Sequence, residues 1–246
     1  MRLAYLLVAL AACSKTPPEQ RVRIAAAADL TKAFDEVGKA FATKTGIKAE
    51  VSYNSSGVLA KQIAQGAPYF LFAAANKDFV DQAVASGKCD AATVTQYAQG
   101  EVVVWTPDGI DPPKTLADLA DARFSKIALA NPETAPYGRA AKQALEHAGV
   151  WDQLKDKIVL ADNVQATMLY ARRKEAQAAL VALSLAVVTD GGKALPVDKT
   201  LYDPLVQELV VCGTGTEAEH AKQFAAFVAS PEGREIMTRY GFELPR

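Results

Sequence analysis

Apolar residues follow two periodicities along this chain, and the two alternate from about residue 22 onwards. Short continuous apolar runs, such as residues 22–27 and 101–106, are typical of strands that are buried on both faces. Between these runs, apolar residues recur at the spacing of a helix, as from Leu30 to Phe41. Repeated alternation of this kind predicts an α/β fold with mainly parallel sheets and helices on both faces.

The same patterns predict the individual elements along the chain. Strands are expected at 22–27, 48–53, 69–75, 101–106, 125–130, 158–160, the first part of 178–188, and 206–212. Helices are expected at 30–43, 58–65, 78–86, 138–148, 164–175, the last part of 178–188, 217–229 and 231–240. Ligands bind such sheets beyond the carboxyl ends of the strands, so the turns there are the places to search for function.

Composition and charge narrow the class of protein. The 246 residues allow one large domain or two lobes, and 50% hydrophobic content with 22% charged content excludes a disordered chain. The net charge of −1 provides no general basic field, so we predict no nucleic-acid partner. Two histidines and three cysteines offer few soft metal ligands, and no Gly-x-Ser-x-Gly motif occurs. We therefore predict no catalytic residues, no metal and no cofactor.

The amino terminus has the features of an export signal. A positive charge at Arg2 precedes a run of about ten apolar residues, which is too short to span a bilayer. The run ends at Cys13 in a sequence that resembles a bacterial lipobox, so residues 1–12 are predicted as a signal peptide and 13–21 as a lipidated tether. Export places the chain in an extracytoplasmic, oxidising compartment, with membrane contact through the lipid anchor only. There, Cys89 and Cys212 either pair or remain buried thiols.

Four predicted helices begin directly after a turn with small or polar residues. A helix amino terminus presents unpaired N–H groups and a partial positive charge, which together favour an anion. Serine and tyrosine hydroxyls add directed donors. At each turn the alternative is ordinary capping, for example by Ser55 or Asp162. The four turns are Ala28-Asp29-Leu30, Ser55-Ser56-Gly57, Pro136-Tyr137-Gly138 and Asp162-Asn163-Val164.

Longer motifs resemble the molybdate-binding proteins of ABC importers. The segments, in the family's order, are IAAAADLTKAF, TGIKAEVSYNSSGVLAKQIAQGAP, ANPETAPYGRAAKQALEHAGVWDQLKDKIVLADNV and SPEGREIMTRYGF. The resemblance implies a two-lobe type II periplasmic binding protein that closes over its ligand. One lobe would comprise 22–100 and 203–246, and the other would comprise 101–202.

The resemblance also implies a ligand-binding set. Ser56 matches a serine that binds the oxyanion, Tyr137 matches a position that supplies a backbone amide or a tyrosine hydroxyl, and Val164 matches a backbone N–H donor. The family's first hydroxyl ligand falls on Ala28 or Asp29, and neither residue has that hydroxyl. The predicted ligand-binding residues are Ala28, Asp29, Ser56, Tyr137 and Val164.

Three other positions depart from the family pattern. A second tyrosine donor is replaced by Ala182, and aspartates that precede two strands are replaced by Phe70 and Gln177. These changes leave open an altered copy with impaired binding, beside neutral drift with repacking.

The function implied is capture of molybdate or tungstate by a monomer that delivers it to an ABC importer permease. Neutral donors from both lobes would replace the water around the oxyanion. Because Asp29 can accept a proton, other oxyanions such as phosphate or sulfate, and small organic anions, remain open alternatives.

Overall fold

A computed structural model of the chain describes residues 20–245. The predicted signal peptide 1–12, the lipidated Cys13 and nearly all of the tether 13–21 lie outside the described residues. Within residues 20–245, no helix combines the length and the apolar character that crossing a membrane requires.

The elements follow the alternation that the sequence predicts. The strands are β1 Arg21–Ala27, β2 Lys48–Asn54, β3 Leu71–Ala74, β4 Thr95–Gly100, β5 Val102–Pro107, β6 Ile127–Ala130, β7 Ile158–Ala161, β8 Ala178–Ala182, β9 Gly192–Pro196 and β10 Leu205–Val211. The helices are α1 Thr31–Thr45, α2 Ser56–Ala64, α3 Lys77–Ala85, α4 Pro136–His147, α5 Trp151–Leu154, α6 Val164–Arg172, α7 Leu183–Ala186, α8 Thr216–Ala229 and α9 Pro231–Arg239.

The strands form two sheets of five strands each. The first sheet has the order β2-β1-β3-β10-β4, and the second has the order β7-β6-β8-β5-β9. In the first sheet only β10 runs against the other strands, and in the second only β5 does so. The predicted α/β class with mainly parallel sheets is therefore confirmed.

The chain passes between the two sheets twice. It leaves the first sheet between β4 and β5, around Glu101, and returns between β9 and β10. Since β5 to β9 all lie in the second sheet, the two passages are close to the predicted crossings near residues 101 and 203. The passages connect two bodies that face each other across a cleft.

Two strands, β4 and β9, were not predicted from the sequence, for different physical reasons. The strand β4 has the sequence TQYAQG, which contains too few apolar residues to resemble a buried strand. The strand β9 lies at the edge of the second sheet, begins with glycine and ends with proline. Both residue types weaken a strand signal and are tolerated best at edges.

A disulfide bond joins the segment after α3 to the segment after β10. Cys89, which follows α3, is bonded to Cys212, which follows β10, across a separation of 123 residues. The paired alternative for these cysteines is thus the one observed. The bond lies near Phe70 at the start of β3, where the Cys212 N–H donates to the Phe70 carbonyl at 2.9 Å.

Candidate functional site

A small cavity lies between the two sheets, at the ends of several strands, with about 10 Å³ of space for the centre of a water-sized sphere. Pockets for drug-sized ligands usually exceed about 300 Å³, so this one excludes them and suits a species of few atoms. All five residues predicted to bind a ligand line it, so the four turns meet at one cavity. The lining residues are Ala27, Ala28, Asp29, Ser55, Ser56, Ala75, Ala135, Pro136, Tyr137 and Val164.

Three helices begin at the cavity wall. The helices α2, α4 and α6 start at Ser56, Pro136 and Val164, respectively. Their first N–H groups have no acceptor within the helix, and the helix dipoles place partial positive charge there. A Cβ atom at Gly138 would lie 2.1 Å from the carbonyl oxygen of Ala130, so glycine is needed for α4 to approach β6 this closely. The arrangement favours an anion without a counter-charge.

The serine pair before α2 supplies two hydroxyls. The Ser56 hydroxyl accepts a hydrogen bond from the Ala75 N–H at 3.0 Å, which leaves its own hydrogen available to donate. The Ser55 hydroxyl is buried and has no hydrogen-bond partner within the described residues. Ser55 does not cap α2 with its side chain, so the capping alternative for this residue is wrong. The unpaired Ser55 oxygen is a group that a bound ligand would satisfy.

The Asp29 carboxyl is the ionisable group of the cavity. Only 1% of the residue is exposed, and burial raises the pKa of Asp29 to about 6, although hydrogen bonds from Gln207 and Tyr137 partly oppose this shift. The Gln207 amide donates to Asp29 Oδ2 at 2.7 Å. Asp29 Oδ1 is buried and has no partner among the described residues. The cavity therefore contains one unsatisfied carboxyl oxygen.

A buried hydrogen-bond network around Gln207 positions the Asp29 carboxyl group. The Tyr97 hydroxyl donates to Gln207 Oε1 at 2.8 Å, and Gln207 Nε2 also donates to the Tyr137 hydroxyl at 3.2 Å. Burial raises the pKa values of Tyr97 and Tyr137 well above the ordinary value, so both phenols stay protonated. Gln207 thus connects the two sides of the cleft. Sequence reasoning missed Gln207, although a glutamine between Leu205 and Leu209 on the buried face of a strand is a usable signal.

Direct contacts hold the two sides of the cleft together. The Ser184 hydroxyl donates to the Asp29 carbonyl at 2.9 Å, and the Gly57 N–H donates to the Thr134 carbonyl at 2.9 Å. The two sides of the cleft therefore touch beside the cavity, as expected for the closed form of a hinged binding protein.

The residue that caps α6 is Asn163 and not Asp162, the residue predicted as the cap. The Asn163 side chain, rather than that of Asp162, caps the helix by accepting from the Ala166 N–H at 2.9 Å. Asparagine is as good an N-cap as aspartate, and it lies one residue closer to the helix. The Asn163 side chain accepts from the Ala166 N–H and not from the Val164 N–H. The direction of the Val164 N–H is therefore set by the helix.

Phe70 and Gln177 lie away from the cavity. Each precedes a strand whose other end reaches the cleft. The Arg23 guanidinium lies 5.1 Å from the Phe70 ring centroid, and the Gln177 amide oxygen accepts from the Ser125 hydroxyl and the Lys126 N–H. Both residues are therefore accommodated by local packing, without contact to the ligand-binding turns.

The departures at Ala28 and Ala182 remove hydroxyls without opening the core. Ala28 lines the cavity through its methyl group, and Ala182 is a buried residue of β8 that pairs with Val102. In the part of the chain that the structure describes, no group of three or more His, Cys, Asp or Glu residues could hold a metal ion.

Comparisons with known proteins agree with this geometry. Residues 22–243 match the family described as bacterial extracellular solute-binding proteins. The chain is 32% identical over 221 residues to the molybdate-binding protein ModA of Rhodobacter capsulatus, covering 89% of this chain and 86% of that protein. It is 33% identical over 248 residues to YvgL of Bacillus subtilis, a candidate ABC transporter substrate-binding lipoprotein, covering 97% and 94%.

A solved structure is similar over nearly the same length. The periplasmic molybdate-binding protein of Azotobacter vinelandii superimposes with a TM-score of 0.84 at 29% identity, covering 92% of this chain and all of that one. The predicted family resemblance is thereby confirmed. The chain belongs to the bacterial extracellular solute-binding proteins, the family that it shares with the molybdate-binding proteins ModA.

Proposed function

We propose that this protein captures molybdate or tungstate outside the cytoplasm for an ABC importer. The observation that carries the proposal is the small cavity between the two sheets at which α2, α4 and α6 all begin. The names of the relatives from Rhodobacter capsulatus and Azotobacter vinelandii support molybdate as the ligand.

The proposed ligand-binding set combines side chains and backbone. Ser56 donates its hydroxyl hydrogen, and Tyr137 and Val164 donate backbone N–H groups at the starts of α4 and α6. Ala28 forms the wall of the turn after β1, and Asp29 supplies a carboxyl oxygen there. These groups replace the water shell of a tetrahedral dianion without a formal positive charge, which limits binding to ligands that fit the donors.

The lobes and the anchor are part of the same proposal. The two sheets would be the cores of two lobes, 22–100 with 203–246 and 101–202, which open at the passages near Glu101 and Asp203. Cys13 would carry the lipid anchor, and the lipoprotein name of the Bacillus subtilis relative supports this form. The closed monomer would present its outer surface to the permease.

A thermal-shift panel in anion-poor buffer tests the ligand. The anions are molybdate, tungstate, sulfate, phosphate and arsenate. A ligand at about 1,000 times its dissociation constant adds ~4 kcal/mol of stability. At this chain length, that stabilisation raises Tm by roughly 8–16 °C.

The panel separates the proposal from its alternatives. Large shifts with molybdate and tungstate alone are expected. Shifts with phosphate or sulfate alone would keep the fold and contradict the proposed ligand, and no shift with any anion would indicate an organic ligand or a disabled site.

A further inference from the structure

We propose that one proton lies between Asp29 Oδ1 and the bound oxyanion, so that the protein binds molybdate together with one proton from solution. This inference rests on the proposed function and adds the protonation state of the complex. Asp29 lines the cavity, and its Oδ1 atom is buried and has no hydrogen-bond partner among the described residues.

A molybdate dianion bound at this cavity would lie beside the Asp29 carboxyl group, because Asp29 is one of the lining residues. Two negative groups that share a buried site cannot both remain ionised without a large penalty, and one of them takes up a proton instead. With the proton present, the contact becomes an O–H···O hydrogen bond.

The orientation of the Gln207 amide determines which Asp29 carboxyl oxygen bears the proton. Gln207 Oε1 accepts from Tyr97, so the Gln207 NH₂ group must be the end that faces Asp29. Asp29 Oδ2 accepts from that NH₂ group at 2.7 Å and is therefore occupied as an acceptor. A proton on the carboxyl group is thereby directed to Oδ1, the oxygen that has no partner among the described residues.

No positive charge faces Asp29 among the described residues. The titratable groups that face Asp29 are the phenols of Tyr97 on β4 and Tyr137 on α4, and both are neutral. From β10 and α7 the facing side chains are the uncharged Gln207 and Ser184. Across residues 20–245, no lysine, arginine or histidine forms a hydrogen bond or ion pair with the Asp29 carboxyl.

The remaining elements around the turn carry their charges outside the site. The helix α1 has Lys32 and Asp35 exposed, and Arg172 is exposed at the far end of α6. On β2, Tyr53 donates its hydroxyl hydrogen to Asp35 rather than to the cavity. Burial without a cation raises the pKa of Asp29 to about 6, so the empty site is already partly protonated near neutral pH. A proton taken from solvent completes the neutral set of donors when the dianion enters.

The test measures molybdate binding by titration calorimetry from about pH 6 to about pH 8.5. The full chain, Asp29→Asn and Asp156→Asn are compared, each in two buffers of different ionisation enthalpy so that proton uptake is counted. Asparagine keeps the acceptor for Gln207 and presents an N–H at the position of Oδ1. Asp156 is an exposed carboxylate near α5 and is the matched control.

The unaltered chain is expected to lose affinity about tenfold per pH unit above the pKa of Asp29, with uptake approaching one proton. Asp156→Asn should reproduce that profile. Asp29→Asn should give a flat profile and bind at least about tenfold more tightly than the unaltered chain at the alkaline end. If Asp29→Asn fails to fold, the proton count of the unaltered chain decides the question alone.

Two results would overturn the inference, and they differ. Molybdate binding that stays within twofold across the range, with no proton uptake, would refute the shared proton and leave the proposed function intact. Absence of molybdate and tungstate binding in all three proteins at every pH would refute the proposed function, and this inference with it.

Discussion

Replacement of Asp29 by asparagine should stabilise the ligand-free protein, and the gain should grow with pH. The carboxyl group is 1% exposed, and its pKa of about 6 compares with an ordinary value of 3.8. Because the folded-state pKa is raised, the folded protein holds this proton more tightly than the unfolded chain does. The contribution to stability is therefore complete below about pH 3.8 and is lost as the pH rises towards and through about pH 6.

The magnitude follows from the difference between the two pKa values. A difference of roughly two pKa units corresponds to about 3 kcal/mol of unfolding free energy at neutral pH. For a chain of this length, about 3 kcal/mol corresponds to roughly 6–12 °C in Tm. Asparagine has no proton to lose, so the variant escapes this penalty while it keeps a group that accepts from Gln207.

The assay is denaturant unfolding of the ligand-free full chain and of Asp29→Asn at several values between about pH 4.5 and about pH 8. The quantity compared is the difference in unfolding free energy between the two proteins, which cancels the other carboxylates. The exposed Asp156→Asn variant serves as the control and should show a small difference at every pH. A difference between Asp29→Asn and the unaltered chain that does not change with pH would refute the reasoning about burial.

Three further changes test other parts of the structure. Ser56→Ala should weaken molybdate binding by more than about 1 kcal/mol, because it leaves a desolvated ligand oxygen unpaired. The control Ser86→Ala, outside the cavity, should bind as the unaltered chain does. Equal affinities of Ser56→Ala and the unaltered chain, within twofold in a titration, would contradict this role of Ser56. Gly138→Ala places a Cβ atom 2.1 Å from a backbone carbonyl oxygen of β6, so it should lower stability by about 1–3 kcal/mol and weaken binding; unchanged melting and affinity would contradict the required close approach. Replacement of both Cys89 and Cys212 by serine releases a loop of 123 residues and should cost up to about 5 kcal/mol in denaturant unfolding; a loss below about 1 kcal/mol would refute that entropy argument.

Much of the fold was predictable because its signals are local. The helix α1 is a clear case, since Phe34, Val37 and Phe41 repeat at helical spacing and are all buried. The proximity of Asp29 and Ser56 followed from topology, because they come after the parallel neighbours β1 and β2, whose carboxyl ends meet at one edge of a sheet. Val164 follows β7 in the second sheet, so its place at the same cavity depends on how the two sheets face each other. A polar strand such as β4 gave no local signal and became visible only through its pairing with β10.

The rest of the site depends on contacts between residues that are distant in sequence. Asp29 and Gln207 are separated by 178 residues, and no spacing rule connects a turn after β1 with the middle of β10. The pairing of Cys89 with Cys212 is equally non-local, so sequence left both redox states open. The resemblance to a family supplied the positions of Tyr137 and Val164, and it could not supply the orientation of the Gln207 amide.

The disulfide also determines what a protease can separate. Both passages between the sheets, and every strand of the second sheet, lie between Cys89 and Cys212. A single cut of the backbone anywhere in that span therefore leaves one covalent molecule, which would divide into two fragments on a gel only after reduction. The second sheet therefore belongs to a covalent ring that the disulfide closes. A protein nicked within this ring outside the cytoplasm would keep both halves of its cleft attached.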